Sequence, residues 1–206
     1  VSSPGPGDGK SLLSANLALS FADAGYRTLL IDGDIRRGMQ HIVFGATVQP
    51  GLLNVLSGQA PLDKILQGTS HEKLTFVSRG TRVPGGPELL ASWGMADFMS
   101  HLKTRFDAII VDSPPLGAGI DPLALSVHTG NLLLVLRVGE TDRKLALAKL
   151  ESVGRLPIRV LGAVLNEVRE EGAYRYYAYG YGTPSAASIG SLSVGSAEVR
   201  GSSGGV

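Results

Sequence analysis

The sequence predicts an α/β fold of three layers, a mostly parallel sheet with helices on both faces. Three observations carry that expectation. Strand-length apolar runs alternate with helical patterns as far as residue 168, the order that builds parallel sheets. Two of those runs, 28–32 and 108–112, end in an aspartate. A glycine-rich loop at residues 4–11 leads straight into a helical pattern.

Residues 11–24 read as the first helix, with Leu13, Leu17 and Phe21 four apart on one face and Gly25 placed to end it. Residues 28–32 read as a buried strand, 51–56 and 62–67 as short helices, and 74–78 as a strand. Residues 88–105 form a longer helical stretch with Gly94 as its weak point. Then come strands at 108–112 and 132–138, an amphipathic helix at 141–153 and a last strand at 160–166. Continuous apolar runs of this kind mark parallel strands buried on both faces. Trp93, among helical neighbours, is expected to pack. Three segments follow: a nucleotide-binding domain over 1–172, a tyrosine cluster over 173–182, and a Gly/Ser-rich tail over 183–206 whose composition predicts disorder.

Composition narrows the function. A chain of 206 residues suits one α/β domain, and a formal net charge of +1 argues against a protein held mainly by nucleic-acid phosphates. The absence of cysteine excludes disulfides and thiolate-ligated metal centres. His41, His71, His101 and His128 have no metal-ligand spacing among them. No run approaches the roughly eighteen apolar residues of a membrane span, and no signal peptide opens the chain. Only Val1, Ser2 and Ser3 precede the glycine-rich loop, so the strand that normally leads into such a loop is expected to be truncated.

The loop reads Pro4-Gly5-Pro6-Gly7-Asp8-Gly9-Lys10-Ser11. Glycines there let successive backbone N–H groups turn onto phosphate oxygens, and a helix N-terminus adds favourable dipole charge. This is the phosphate-binding loop of a P-loop NTPase fold, with Pro4 where the strict pattern has glycine. It predicts binding of ATP with Mg²⁺. Candidate nucleotide contacts are Gly5, Pro6, Gly7, Asp8, Gly9, Lys10, Ser11 and Leu12. Lys10 is placed for the β- and γ-phosphates, and the Ser11 hydroxyl for the metal. Ligands of such sheets bind beyond the carboxyl ends of the strands, so Asp32 and Asp112 join Ser11 as candidate Mg²⁺ ligands, directly or through water. Arg36 and Arg37 have two readings, engagement of phosphates or acidic partners, or a solvated charged loop. Arg137 and Thr141, which flank the end of the 132–138 strand, also have two readings, approach to nucleotide or to a neighbour, or a solvated loop.

At this point the chain resembles the bacterial tyrosine kinases that regulate capsular and exopolysaccharide synthesis. The run Leu29-Leu30-Ile31-Asp32-Gly33-Asp34-Ile35-Arg36 looks like their second Walker A-type motif. Ile109-Ile110-Val111-Asp112-Ser113-Pro114-Pro115 is similar to their Walker B motif. Gly51-Leu52-Leu53-Asn54-Val55-Leu56 and Pro87-Glu88-Leu89-Leu90-Ala91-Ser92 also match, whereas Gly85-Gly86 replaces the more usual Pro-Asn. Five of the six tyrosines, Tyr174, Tyr176, Tyr177, Tyr179 and Tyr181, sit where that family carries its autophosphorylated cluster.

The resemblance implies a kinase that modifies this cluster in trans, with Lys10, Asp34 and Asp32 as catalytic groups. Asp34 is preferred over Asp32 as proton acceptor, an assignment open to reversal. The resemblance also places Asn166 at the adenine. It implies a homo-oligomer, no nucleic-acid partner, and a cytoplasmic protein tethered at the inner membrane face by a membrane-embedded polysaccharide co-polymerase or activator segment, fused or separate. The competing reading is a partition or septum-positioning ATPase switch of the same fold. That class carries a signature lysine at the position of Gly5.

Overall fold

The computed structural model describes residues 1–168. The tyrosine cluster and the Gly/Ser-rich tail lie outside the described residues. Four strands form one sheet: β1 (Thr28–Asp32), β2 (Gln67–Gly68), β3 (Leu74–Val77) and β4 (Ala108–Asp112), in the order β2-β3-β1-β4. β1 runs parallel to both β3 and β4, and only the short edge strand β2 is antiparallel. β5 (Asn131–Arg137) and β6 (Arg159–Asn166) form a parallel pair. Residues 1–3 lie between the two sheets. Ser113 N donates to Val1 O at 3.1 Å on one side, and Ser2 exchanges backbone bonds with Leu133 and Val135 on the other.

Helices cover both faces because β1 alternates. Leu29 and Ile31 enter one core with Val77 and Val111, while Leu30 enters the other with Phe76 and Ile110. On the second face lies α1 (Lys10–Asp23), whose buried stripe is Ser14, Ala15, Ala18 and Ala22. The expected Leu13-Leu17-Phe21 face is only at its margin, and Phe21 is exposed. Small side chains let the helix axis approach the sheet, and the larger ones flank the contact. Gly25, at φ 95°, turns the chain out of the helix as expected, its N–H bonding Ala22 O at 2.9 Å.

Several elements differ from the pattern reading. The helical stretch at 88–105 is two helices, α4 (Gly86–Leu90) and α5 (Trp93–Arg105). The break falls at Ser92, whose Oγ caps α5 by accepting from Met95 N at 3.3 Å, and Gly94 is inside α5. Trp93 does not pack; it stands at the mouth of α5, 92% exposed. The segment 62–67 holds only a 3-10 turn, Leu62–Lys64, before β2. β6 is an edge strand with Val160, Leu161 and Leu165 exposed, not one buried on both faces. Three further helices are α2 (Gln40–Val43), α3 (Leu52–Leu56) and α6 (Asp121–Thr129). The last helix, α7 (Arg143–Val153), starts at Asp142, whose carboxylate accepts from Lys144 N and Leu145 N.

Candidate functional site

The loop at 4–11 crosses the end of the sheet and opens α1. Gly7 and Gly9 hold φ of 86° and 93°, values that glycine adopts without strain. Gly9 is the N-cap of α1 and offers no side-chain cap, so the first N–H groups of the helix stay available to an anion. A Cβ on Gly9 would come 2.2 Å from Asn166 Nδ2, so this position tolerates no side chain. Pro4 fits the turn. It is buried, and its carbonyl accepts from Gly117 N at 3.1 Å. Gly5 is different: a Cβ there would meet nothing within 4 Å, so packing does not enforce its lack of a side chain.

A cleft of about 950 Å³ opens over this loop. Lys10, Ser11, Leu12 and Asp34 line it, closed on other sides by Met39, Pro114 and Leu145. Lys10 Nζ donates to Ser11 Oγ at 3.0 Å and lies 3.7 Å from Asp34 Oδ2. The sequence-predicted lysine, serine and aspartate therefore meet at one point.

Asp32 and Asp112 are brought together by register. β1 and β4 are adjacent parallel strands, and the two aspartates are direct partners at their carboxyl ends. Both are fully buried. Burial, with Asp112 alongside, pushes the Asp32 carboxyl up to about 7, against the opposing effect of backbone N–H donors from Gln40 and Asp34. Asp112 accepts from Ser14 Oγ at 3.3 Å and from Gln40 Nε2 at 2.9 Å. The same Gln40 amide nitrogen donates to Ser11 O at 2.8 Å, and Gln40 N to Asp32 Oδ2 at 3.1 Å. Neutral donors thus surround two buried carboxylates beside a serine hydroxyl. That surplus of hard oxygen and negative charge fits a divalent cation such as Mg²⁺. Among the described residues no cluster of three or more His, Cys, Asp or Glu could hold a metal by itself, so water and phosphate oxygens would complete the coordination.

A second network fixes the loop from the other side. Asp8 accepts from Gly5 N at 3.2 Å and from Thr141 Oγ1 at 2.8 Å, while Thr141 Oγ1 accepts from Arg137 N at 2.7 Å. Asn166 Nδ2 donates to Asp8 O at 3.0 Å, so its amide is engaged with the loop itself. Arg137 pairs with Glu167 instead of reaching into the cleft. Arg36 forms a fork onto fully buried Asp121, with Nε–Oδ2 at 2.8 Å, so it is anchored rather than part of a freely solvated loop. The site members that the sequence did not offer are Gln40, Ser14, Thr141 as partner of Asp8, and Asp121. Only Asp121 carried a local signal, an acidic residue before Pro122 at a helix start.

Residues 1–181 match the CobQ/CobB/MinD/ParA nucleotide binding domain. The chain is 38% identical over 185 residues to the tyrosine-protein kinase CpsD of Streptococcus pneumoniae, covering 86% of this chain and 80% of that protein. The chain belongs to the bacterial tyrosine-kinase branch of the CobQ/CobB/MinD/ParA nucleotide-binding family. Within that family it is also 36% identical over 176 residues to the tyrosine-protein kinase ptk of Acinetobacter johnsonii. That match covers 84% of this chain and 24% of the relative, so the chain spans about a quarter of that relative's length. The kinase domain of the Escherichia coli tyrosine kinase ETK superposes with a TM-score of 0.79 at 29% identity, covering 84% of this chain and 68% of that one. No helix among the described residues is long and apolar enough to cross a membrane.

Proposed function

We propose that this chain is an ATP-dependent protein-tyrosine kinase that phosphorylates the 174–181 segment of another copy of itself, in the control of capsular or exopolysaccharide synthesis. The convergence of Lys10, Ser11 and Asp34 on one cleft, beside the buried Asp32–Asp112 pair, carries the reading. In it, residues 5–12 cradle the triphosphate and Lys10 spans the β- and γ-phosphates. Ser11, Asp32 and Asp112 would hold Mg²⁺, which supplies charge neutralisation on the phosphates. Asn166 lies beside the loop on the side proposed for the adenine.

The acceptor tyrosine oxygen forms a bond to the γ-phosphorus as the bond to the ADP oxygen breaks, and the hydroxyl proton leaves to a carboxylate. Asp34 suits that step better than Asp32. It lines the cleft and is held 3.7 Å from Lys10, whereas Asp32 is fully buried behind it. The partners that follow are further copies of the chain, with Tyr174, Tyr176, Tyr177, Tyr179 and Tyr181 as acceptors, and a membrane-embedded polysaccharide co-polymerase or activator segment. Such a segment would hold the kinase at the cytoplasmic face of the membrane; no nucleic acid is involved.

The test is direct. The chain, together with its activator segment, is incubated with Mg-ATP and phosphotyrosine is mapped by mass spectrometry, beside Lys10→Met. Phosphate on 174–181 in the wild type and none in the variant is expected. ATP hydrolysis without phosphotyrosine would overturn the reading in favour of an ATPase switch of the same family.

A further inference from the structure

The nucleotide cleft extends well past its phosphate end. Beyond Lys10 and Ser11 its lining includes a lip of Leu12, Met39 and Val43, which are 66%, 62% and 67% exposed. Ile42, beside them on α2, is as exposed as Met39. Large apolar side chains gathered at the mouth of a polar site mark a surface that takes a ligand. Phosphates gain nothing from such a lip. An aromatic ring does, through apolar contact and through the Met39 sulfur.

The lining also takes in two residues of α7, Leu145 and Lys149, which lie one turn apart on one face of that helix. Of the charged side chains around the cleft, Lys10 stands against Asp34 and Arg36 against Asp121. Arg37 and Lys149 have no carboxylate within 4.0 Å among the described residues. Arg37 is exposed on its loop, whereas Lys149 is half-buried, where water screens an ion pair less. Lys149 is also remote from the phosphate cradle. Thr141 and Asp142 open α7 beside the phosphate loop, through the bond to Asp8, and Lys149 follows about 10 Å further along the helix.

We infer that the lip and Lys149 together select the acceptor: the ring of Tyr174 from a second copy lies on Leu12, Met39 and Val43 while Lys149 holds Glu170 of the same segment. The identity of the acceptor rests on the kinase reading. Charge complementarity chooses the residues. In a segment bound as an extended strand, alternate side chains share a face. Glu170 then shares a face with Tyr174 and Tyr176, and Arg169, Glu171 and Arg175 share the other. The first face is acidic and aromatic; the second has a surplus of positive charge. Only the first complements an unpaired lysine beside an apolar lip. Four extended residues span about 13 Å, and Tyr174 is the first ring beyond the Glu170 anchor on that face.

A labelled, unmodified peptide of residues 169–181 is titrated against the full chain with saturating Mg-ADP by fluorescence anisotropy. The wild-type pair is expected to bind saturably. Glu170→Lys in the peptide, or Lys149→Glu in the protein, is expected to weaken binding at least fivefold, and the two together to restore it to within about twofold. Met39→Ser is expected to weaken it at least threefold. Glu171→Lys in the peptide, and Lys144→Glu on α7 outside the cleft, should each leave it within about twofold. Circular dichroism confirms the fold of each variant. No binding of the wild-type peptide, no restoration in the swapped pair, or equal losses from Glu170→Lys and Glu171→Lys overturns the inference. Weaker Mg-ADP affinity in Lys149→Glu with peptide affinity unchanged does so too, since the amine would then serve the nucleotide. The titration needs no phosphate transfer, so its result is independent of whether the chain is a kinase.

Discussion

The side-chain amide of Gln40 donates to Asp112 Oδ2 at 2.9 Å, and so ties the loop following β1 to the carboxylate that ends β4. Both acceptors of Nε2, Asp112 Oδ2 and Ser11 O, are oxygens, which assigns the amide orientation without ambiguity. One buried side chain thereby sets the phosphate loop, the Asp32 loop and the Asp112 strand in register with each other.

Gln40→Leu removes those donors and leaves the buried Asp112 Oδ2 short of a partner, at roughly 1–3 kcal/mol. A fall in Tm of several degrees is expected. A loss of Mg-dependent ADP affinity of about tenfold should accompany it, because the carboxylates that would meet the cation are no longer fixed. Thermal unfolding and calorimetric titration with and without Mg²⁺ check both. An unchanged Mg²⁺ dependence would mean that Gln40 is only structural.

Thr141 reaches the loop from the opposite side, through the 2.8 Å bond to Asp8. Thr141→Val keeps the shape and deletes the hydroxyl, so Asp8 loses a donor and Gly5-to-Gly9 loses its tether to the end of β5. The expected result is a rise of about three- to tenfold in KM for ATP with little change in kcat, the pattern of lost ground-state positioning. Thr141→Ser should restore it. A drop in kcat alone would contradict the assignment.

The reach of the sequence follows the range of the interactions. The phosphate loop and the Asp32 and Asp112 strand ends were legible because each is a local pattern, a glycine run or an apolar run with its terminal carboxylate. The partners of Gln40, Thr141 and Asp121 were not, since they lie 72, 133 and 85 residues away and no periodicity marks the pairings. Trp93 misled for a related reason. Helical neighbours place it on a helix but say nothing about which face meets the core; Trp93 lies on the exposed side of α5, whereas Met95 in the same turn is buried. Likewise, Ser92 divides one helical stretch into two through a single capping bond that hydrophobic spacing does not register.

Asp32 makes the stability of the nucleotide-free protein depend on pH in a specific direction. Its carboxyl is pushed up to about 7 in the fold from a reference value of 3.8. Between those values the folded state keeps a proton that the unfolded state has released, so stability falls as pH rises through that window. Below about pH 4 the penalty is absent; above about pH 7 it is fully developed, at most roughly 4 kcal/mol. Other groups act elsewhere or oppositely. Asp107, held down to about 2 by its bonds to Arg27, acts below pH 4. His128, lowered by burial, gives a slope of the other sign. The difference between wild type and Asp32→Asn in urea unfolding therefore isolates the effect. The variant is expected to lose less stability from pH 4.5 to pH 7.5, and saturating Mg-ADP should flatten the wild-type curve by favouring the charged carboxylate. Parallel curves for wild type and variant would show that Asp32 does not hold the proton.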